Sequence, residues 1–194
     1  MTDQSNIFIT SLSNICPGCL KSKDICKFTC EGVIWMLMKN TKILIKNQPI
    51  KLWTFGLGGC IASVIIHGDI NDTQYVSFAH YPTINETIQF IDGLNNPIIR
   101  IIFKCPGEYI QDSNTQRYSL EPRIEIYQQL LHQLKLYNIH ENIIIWEPYN
   151  MVQSFNDIYN SIFIINTTLK EDHSILLNYT NNYGQINNLL IESL

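Results

Sequence analysis

An α+β fold, a largely antiparallel β-sheet or sandwich covered by helices, is predicted for this 194-residue chain by three observations. Short β-branched and aromatic runs recur along most of the length, closed by Gly, Pro, Asn or Asp. Two segments carry helix signals. Strand and helix signals do not alternate regularly and no internal repeat is visible, which argues against a parallel βαβ build. Composition permits a core: 45% of residues are hydrophobic and 15% charged. A chain this long buries roughly 70% of its unfolded surface, so disulfide staples are not required, and disordered or collagen-like classes are excluded.

The elements follow in order. Val33 to Met38 and Lys42 to Lys46 are β-rich runs joined by Lys39-Asn40-Thr41 and read as a hairpin. Leu52 to Phe55 is a third strand running into the turn Gly56-Leu57-Gly58-Gly59, where glycines permit backbone conformations other residues resist. Cys60 to Ile66 is an apolar run short enough for a buried strand, closed by a loop at Asp69-Ile70-Asn71-Asp72. Tyr75 to His80 is the next strand, ended by Pro82. Thr83 followed by Glu86 is a capping box opening a helix from Ile84 to about Leu94. Ile98 to Lys104 is a β-branched strand, with a polar loop expected from Pro106 to about Leu120. Ile124, Tyr127, Leu130, Leu131, Leu134 and Tyr137 have helical spacing. Strands at Asn142 to Trp146, Ser161 to Asn166 and Ile175 to Tyr179 complete the series.

Four of the six cysteines, Cys16, Cys19, Cys26 and Cys30, form a C-x2-C-x6-C-x3-C run. In a reducing compartment such a cluster reads as a structural zinc site or as ordinary thiols before it reads as disulfides. Four thiolates would close the coordination sphere, so zinc here would be a fold staple with no open position for substrate. The expected organisation is therefore a Cys-rich segment at 1–31 and an α+β domain at 32–194.

Charge and hydropathy narrow the function classes. Residues 1–51 carry seven Lys against Asp3, Asp24 and Glu31, so the overall charge of −4 leaves −8 on the remainder. That acidity argues against a nucleic-acid partner for the main body. No apolar stretch is long enough to span a bilayer, and Met1 to Asn6 has neither the basic nor the apolar region of a secretory signal. A cytoplasmic protein with no membrane partner is expected.

The stretch that carries chemistry is Thr54-Phe55-Gly56-Leu57-Gly58-Gly59-Cys60, with Ala79-His80 following. If the strands after Cys60 and before His80 pair antiparallel, the two residues meet at one end. A thiol beside an imidazole is a nucleophile with its proton acceptor, and backbone N–H groups of a Gly-rich turn could hold an oxyanion. Cys105-Pro106-Gly107 is a weaker rival nucleophile at a strand end. His67, His132, His140 and His173 show no partner pattern and read as structural or surface residues, and Asp69, Asp72 and Asp92 as turn formers.

These residues resemble the CheD family, the chemoreceptor glutamine deamidases of bacterial chemotaxis, with the cytotoxic-necrotizing-factor-type toxin deamidases as more distant relatives. The family pattern is Thr, two residues, Leu-Gly-Ser-Cys, a hydrophobic strand, a loop, then Ala-His near a Pro. Here the matching positions are Thr54, Leu57-Gly58-Gly59-Cys60, Ile61 to Ile66, Ala79-His80 and Pro82. Gly59 stands where the family has Ser, and the Cys-to-His interval is a few residues longer. The vertebrate-type N-terminal asparagine amidases share a similar Cys–strand–His layout, so the motif does not choose Gln over Asn.

The resemblance implies a deamidase-like fold and a hydrolase acting on linear amides. Cys60 would be the nucleophile, His80 the general acid/base and Thr54 an orienting hydrogen-bond partner. The substrate would be a side-chain carboxamide of a protein, and no cofactor would be needed for catalysis. The alternative is a binding module, a zinc-stapled N-terminal segment on a degenerate deamidase-like body that recognises a partner without chemistry. A papain-like or transglutaminase-like enzyme using His140 or His173 ranks below both, because its flanking motifs are missing.

Overall fold

The apolar run after Cys60 lies at the centre of the fold because both of its faces are covered. The computed structural model describes residues 30–32, 41–44, 50–54, 57–69, 73–151, 163–169, 175–180 and 186–191. Within them the chain runs β1 (Cys30–Gly32), β2 (Thr41–Leu44), β3 (Ile50–Thr54), β4 (Ile61–Asp69), β5 (Thr73–Tyr81), α1 (Ile84–Asp92), β6 (Ile98–Gln111), β7 (Tyr118–Pro122), α2 (Ile124–Leu136), β8 (Ile144–Asn150), β9 (Phe163–Leu169), β10 (Ile175–Thr180) and β11 (Ile186–Ile191). A single 3-10 turn at Glu141–Ile143 leads into β8.

Among the described residues the strands form two sheets. One has the order β1-β3-β9-β10-β11; the other runs β2-β5-β4-β6-β7, with β8 also paired to β6. The pairs are antiparallel except β1 with β3 and β6 with β8. This is an α+β arrangement with a mostly antiparallel sheet.

The alternation of side chains along β4 divides the core in two. Ala62, Val64 and Ile66 join Leu57, Cys60, Val76, Phe78, Ile102 and Tyr149 on one face, where Leu189 of β11 packs against them. Ile61 and Ile65 point the other way, into a cluster with Ile101 and Phe103 of β6, Ile88 and Ile91 of α1, and Leu130, Leu131 and Leu134 of α2. Each buried Ile or Leu contributes roughly 1.5–3 kcal/mol, so both faces reward an apolar residue. An unbroken apolar run, without the polar alternation of a half-exposed strand, is the consequence.

The helices lie where their signals placed them. Thr83 caps α1, accepting from Glu86 N–H at 3.2 Å and donating its hydroxyl to Glu86 Oε2 at 2.6 Å. The helix ends at Asp92, two residues before the expected end. On the sheet side of α2, Trp146 stacks on Phe103 with ring centroids 5.3 Å apart and meets Tyr127 at 5.1 Å.

Several expectations need correction. The polar loop from Pro106 to about Leu120 is instead the far end of β6 and the start of β7, joined in register from Gly107↔Pro122 to Gln111↔Tyr118. It reads as a loop because residues 108–111 project beyond the core and carry exposed side chains. Its turn is closed by Asp112, whose carboxylate accepts from Asn114 N–H at 2.7 Å and Thr115 N–H at 3.1 Å. The strand expected at Asn142 begins at Ile144 and runs to Asn150. β4 continues to Asp69, which pairs with Thr73; Asp69 is therefore a strand residue, and Asp92 ends a helix. β11 was not anticipated, because Ile186 to Ile191 is diluted by two asparagines. The expected strand at Val33 to Met38 lies outside the described residues, as do Asp72 and His173, while β2 pairs with β5. β1 straddles position 31, where a segment boundary was expected.

Candidate functional site

The two sheets bring the motif together from three elements. Thr54 is the last residue of β3, in the first sheet, and His80 lies near the end of β5, in the second. Thr54 Oγ1 and His80 Nδ1 are 2.7 Å apart, a buried hydrogen bond that crosses between the sheets. His80 faces Ala62 across the β4–β5 ladder. Cys60 stands two residues before Ala62 and shares its core cluster. Cys60 is thus the diagonal neighbour of His80 on one face, a spacing of roughly 7–8 Å between backbones.

The turn before Cys60 is held by a residue far away in sequence. Gly58 and Gly59 have φ values of 29° and 121°. The second lies in the region L-residues rarely adopt, so the Ser that the deamidase pattern carries there would be strained in this backbone, although nothing lies within 4 Å of where its Cβ would be. Tyr149, on β8, puts its hydroxyl into this turn: it accepts from Gly59 N–H at 2.9 Å and donates to Cys60 C=O at 2.7 Å, with Leu57 C=O at 3.1 Å. Cys60 N–H donates to Leu57 C=O. The Gly-rich turn was expected to offer backbone N–H groups to an oxyanion; its Gly59 amide and that of Cys60 instead hold the turn itself.

The site is dry. Thr54 is fully buried, His80 is 1% exposed and Cys60 8%. This differs from an open cleft, and burial pushes the Cys60 thiol up to about 11, with the negative charge of Glu86 adding to the rise. At neutral pH the resting state is a thiol, not a thiolate stabilised in advance. The proton must leave as the sulfur attacks.

Cys105, the rival nucleophile, is fully buried within β6 and not at a strand end, among Ile61, Phe103 and Leu130 on the helix-covered face. Burial pushes its thiol to about 12, and the neighbouring Lys104 only partly offsets this. It packs as a small hydrophobe. Among the other histidines, His67 is buried and its Nε2 lies 2.7 Å from Ser77 Oγ, with Tyr75 stacked on the ring. His140 caps the 3-10 turn and is exposed. His132 lines a shallow groove of about 290 Å³ between α1 and α2 with Ile84, Asn85, Gln128, Gln129 and Gln133.

Two residues on the site's face were not singled out by the sequence. Tyr149 lies about ninety positions from the turn it holds, and no local pattern marks it. Lys104 ends the run Ile98 to Lys104 and reads as the polar close of a strand, yet it is fully buried. The row His80↔Ala62↔Lys104↔Glu147 crosses the second sheet. Burial brings the Lys104 ammonium down to about 8, while the opposing charge of Glu147 acts the other way.

Cys16, Cys19 and Cys26 lie outside the described residues, and Cys30 opens β1. Among the described residues no group of three His, Cys, Asp or Glu is arranged to hold a metal ion. No helix among them is long and apolar enough to cross a membrane. Comparison with protein-family models, with curated proteins and with solved structures yields no match.

Proposed function

We propose that the chain is a Cys–His amidohydrolase of deamidase-like fold that hydrolyses the side-chain carboxamide of a protein Gln or Asn. The observation that carries this is the Thr54–His80 hydrogen bond on the face that also holds Cys60. A buried imidazole tied at Nδ1 keeps Nε2 for proton transfer, provided that Nδ1 carries the hydrogen and the Thr54 hydroxyl accepts it.

In this mechanism Cys60 Sγ attacks the carboxamide carbon while its proton passes to His80 Nε2. The C–N bond breaks as the imidazolium returns that proton to the leaving ammonia. Water then attacks the thioester and gives one proton to His80, the C–S bond breaks as that proton passes to sulfur, and the carboxylic acid released gives its proton to solvent. Because the thiol is protonated at rest, His80 acts as a general base during attack and does not serve only as the partner of a stored thiolate. An oxyanion using Gly59 N–H would have to displace the Tyr149 hydroxyl from it.

The test is ammonia release from Gln- and Asn-containing proteins. Cys60→Ser is expected to abolish it and His80→Ala to lower it by about 100-fold or more. The double variant should be no worse than Cys60→Ser, since either loss disables the same unit. The specific observation favouring the non-catalytic binding module is the engagement of both turn amides within the protein. An intact Cys60→Ser protein that still captures a partner, beside a wild type inert on every carboxamide, would select it. The zinc expectation for the cysteine run rests on sequence spacing alone, and metal analysis of purified protein tests it.

A further inference from the structure

The capping box at the start of α1 follows directly on the strand that pairs with the one Cys60 leads into. Ile61 pairs with Tyr81 across the β4–β5 ladder, so Cys60 stands level with Pro82. Thr83 and α1 follow at once, and Glu86 is the third residue of that helix. Its carboxylate accepts from the Thr83 hydroxyl at 2.6 Å, and its backbone N–H donates back to Thr83 Oγ1 at 3.2 Å. It is half-buried. A carboxylate offers about four acceptor positions, of which Thr83 uses one.

Among the described residues, two cations at the same end of the sheet already face carboxylates. Arg123, whose N–H donates to Pro106 C=O, has its guanidinium 2.5 Å from the Glu125 carboxylate. Lys104 stands opposite Glu147 in the β6–β8 register. Among the described residues Glu86 has no such counter-charge: the partner of its carboxylate is the neutral Thr83 hydroxyl.

We infer that Glu86 makes the Cys60 site selective for substrates bearing a positive charge, an ammonium or a guanidinium, next to the carboxamide. This rests on Cys60 being the nucleophile. Burial is the main cause of the raised Cys60 pKa, and the negative charge of Glu86 adds to it, in keeping with the register that sets the start of α1 after the strand end facing Cys60. A negative charge there disfavours the thiolate, a cost to chemistry that a cationic substrate removes by neutralising the carboxylate when it binds. Glu86 is thus a specificity residue, poised to couple occupancy to nucleophile activation.

The test separates charge from capping. Gln at position 86 still accepts from the Thr83 hydroxyl and keeps the capping box, so Glu86→Gln removes charge alone. Full-length protein is treated with cationic 2-bromoethylammonium and with anionic iodoacetate, the adduct at Cys60 is read by peptide mass mapping, and rates are divided by those for a small free thiol. The wild type should favour the cation over the anion by about 5-fold or more, and Glu86→Gln should bring the ratio close to one. A ratio near one in the wild type, or one unchanged in Glu86→Gln, overturns the inference.

A second arm uses acetylated peptides with Lys or Glu beside a Gln, and a peptide with Gln at a free amino terminus. Faster turnover of the acetylated Lys peptide assigns the cation to a neighbouring side chain; faster turnover of the free terminus assigns it to the α-ammonium. Equal turnover of the Lys and Glu peptides and of the free terminus counts against the inference. Absence of turnover of all peptides defeats the proposed deamidation, while the alkylation ratio still decides the charge preference.

Discussion

Removing a single oxygen atom from Tyr149 tests how the turn before Cys60 is held. In Tyr149→Phe the ring remains in place on β8 and only the hydroxyl is lost. That hydroxyl accepts one hydrogen bond, from Gly59 N–H at 2.9 Å, and has one hydrogen to donate, which goes to Cys60 C=O at 2.7 Å with Leu57 C=O at 3.1 Å as the secondary acceptor. The hydroxyl is buried, so two backbone groups lose their partner where water enters poorly. At about 1–3 kcal/mol for each such group, with some relaxation of a glycine turn, the loss is about 2–4 kcal/mol. For a chain of this size each kcal/mol moves Tm by roughly 2–4 °C, so melting should fall by about 4–16 °C. The assay is thermal unfolding by circular dichroism, paired with iodoacetamide labelling of Cys60 under native conditions, which should accelerate as the turn loosens. A melting temperature within about 1 °C of wild type would refute the assignment. So would a large loss of stability with Cys60 labelling unchanged, which would put the work of the hydroxyl elsewhere.

The remaining predictions concern the same face. The raised Cys60 pKa makes thiolate scarce at pH 7, so iodoacetamide labelling of Cys60 should climb about tenfold per pH unit to near pH 10; a plateau near pH 8 would contradict the burial argument. Because the unfolded thiol ionises first, the folded protein holds the extra proton, and this contribution to stability falls as pH rises from about 8.5 toward 11. Thr54→Val should lower kcat by about 10- to 100-fold with little change in KM, the effect of losing one orienting hydrogen bond on a buried imidazole; an equal rise in KM would instead make Thr54 a substrate contact. Gly107→Ala should destabilise by about 1–3 kcal/mol in urea unfolding, because its Cβ would lie 2.6 Å from Pro148 Cβ and 2.7 Å from Glu121 C=O. Wild-type stability in that variant would mean β6, β7 and β8 separate more easily than their register implies.

Local chemistry decided much of this protein in advance. The capping box at Thr83 and Glu86, the helical spacing from Ile124 onward and the apolar runs at Ile61 to Ile66, Tyr75 to His80 and Ile98 to Lys104 each state a backbone preference within a few residues, and each became the element it described. That Cys60 and His80 fall at the same end of a strand pair was also legible, because one antiparallel ladder suffices to relate them. What the sequence could not express was covering and distance. Pro106 to Leu120 is polar both as a loop and as a hairpin leaving the core, and only the ladder with β7 separates the two. Lys104 reads as a strand end until β4 and β8 enclose it. The bond from Thr54 to His80 needs one sheet stacked on the other, and the Tyr149 hydroxyl reaches the glycine turn only after β8 has paired with β6. Periodicity records which face of an element is apolar. Which buried polar group meets which is decided by packing, where an unsatisfied hydrogen bond costs more than any local propensity returns.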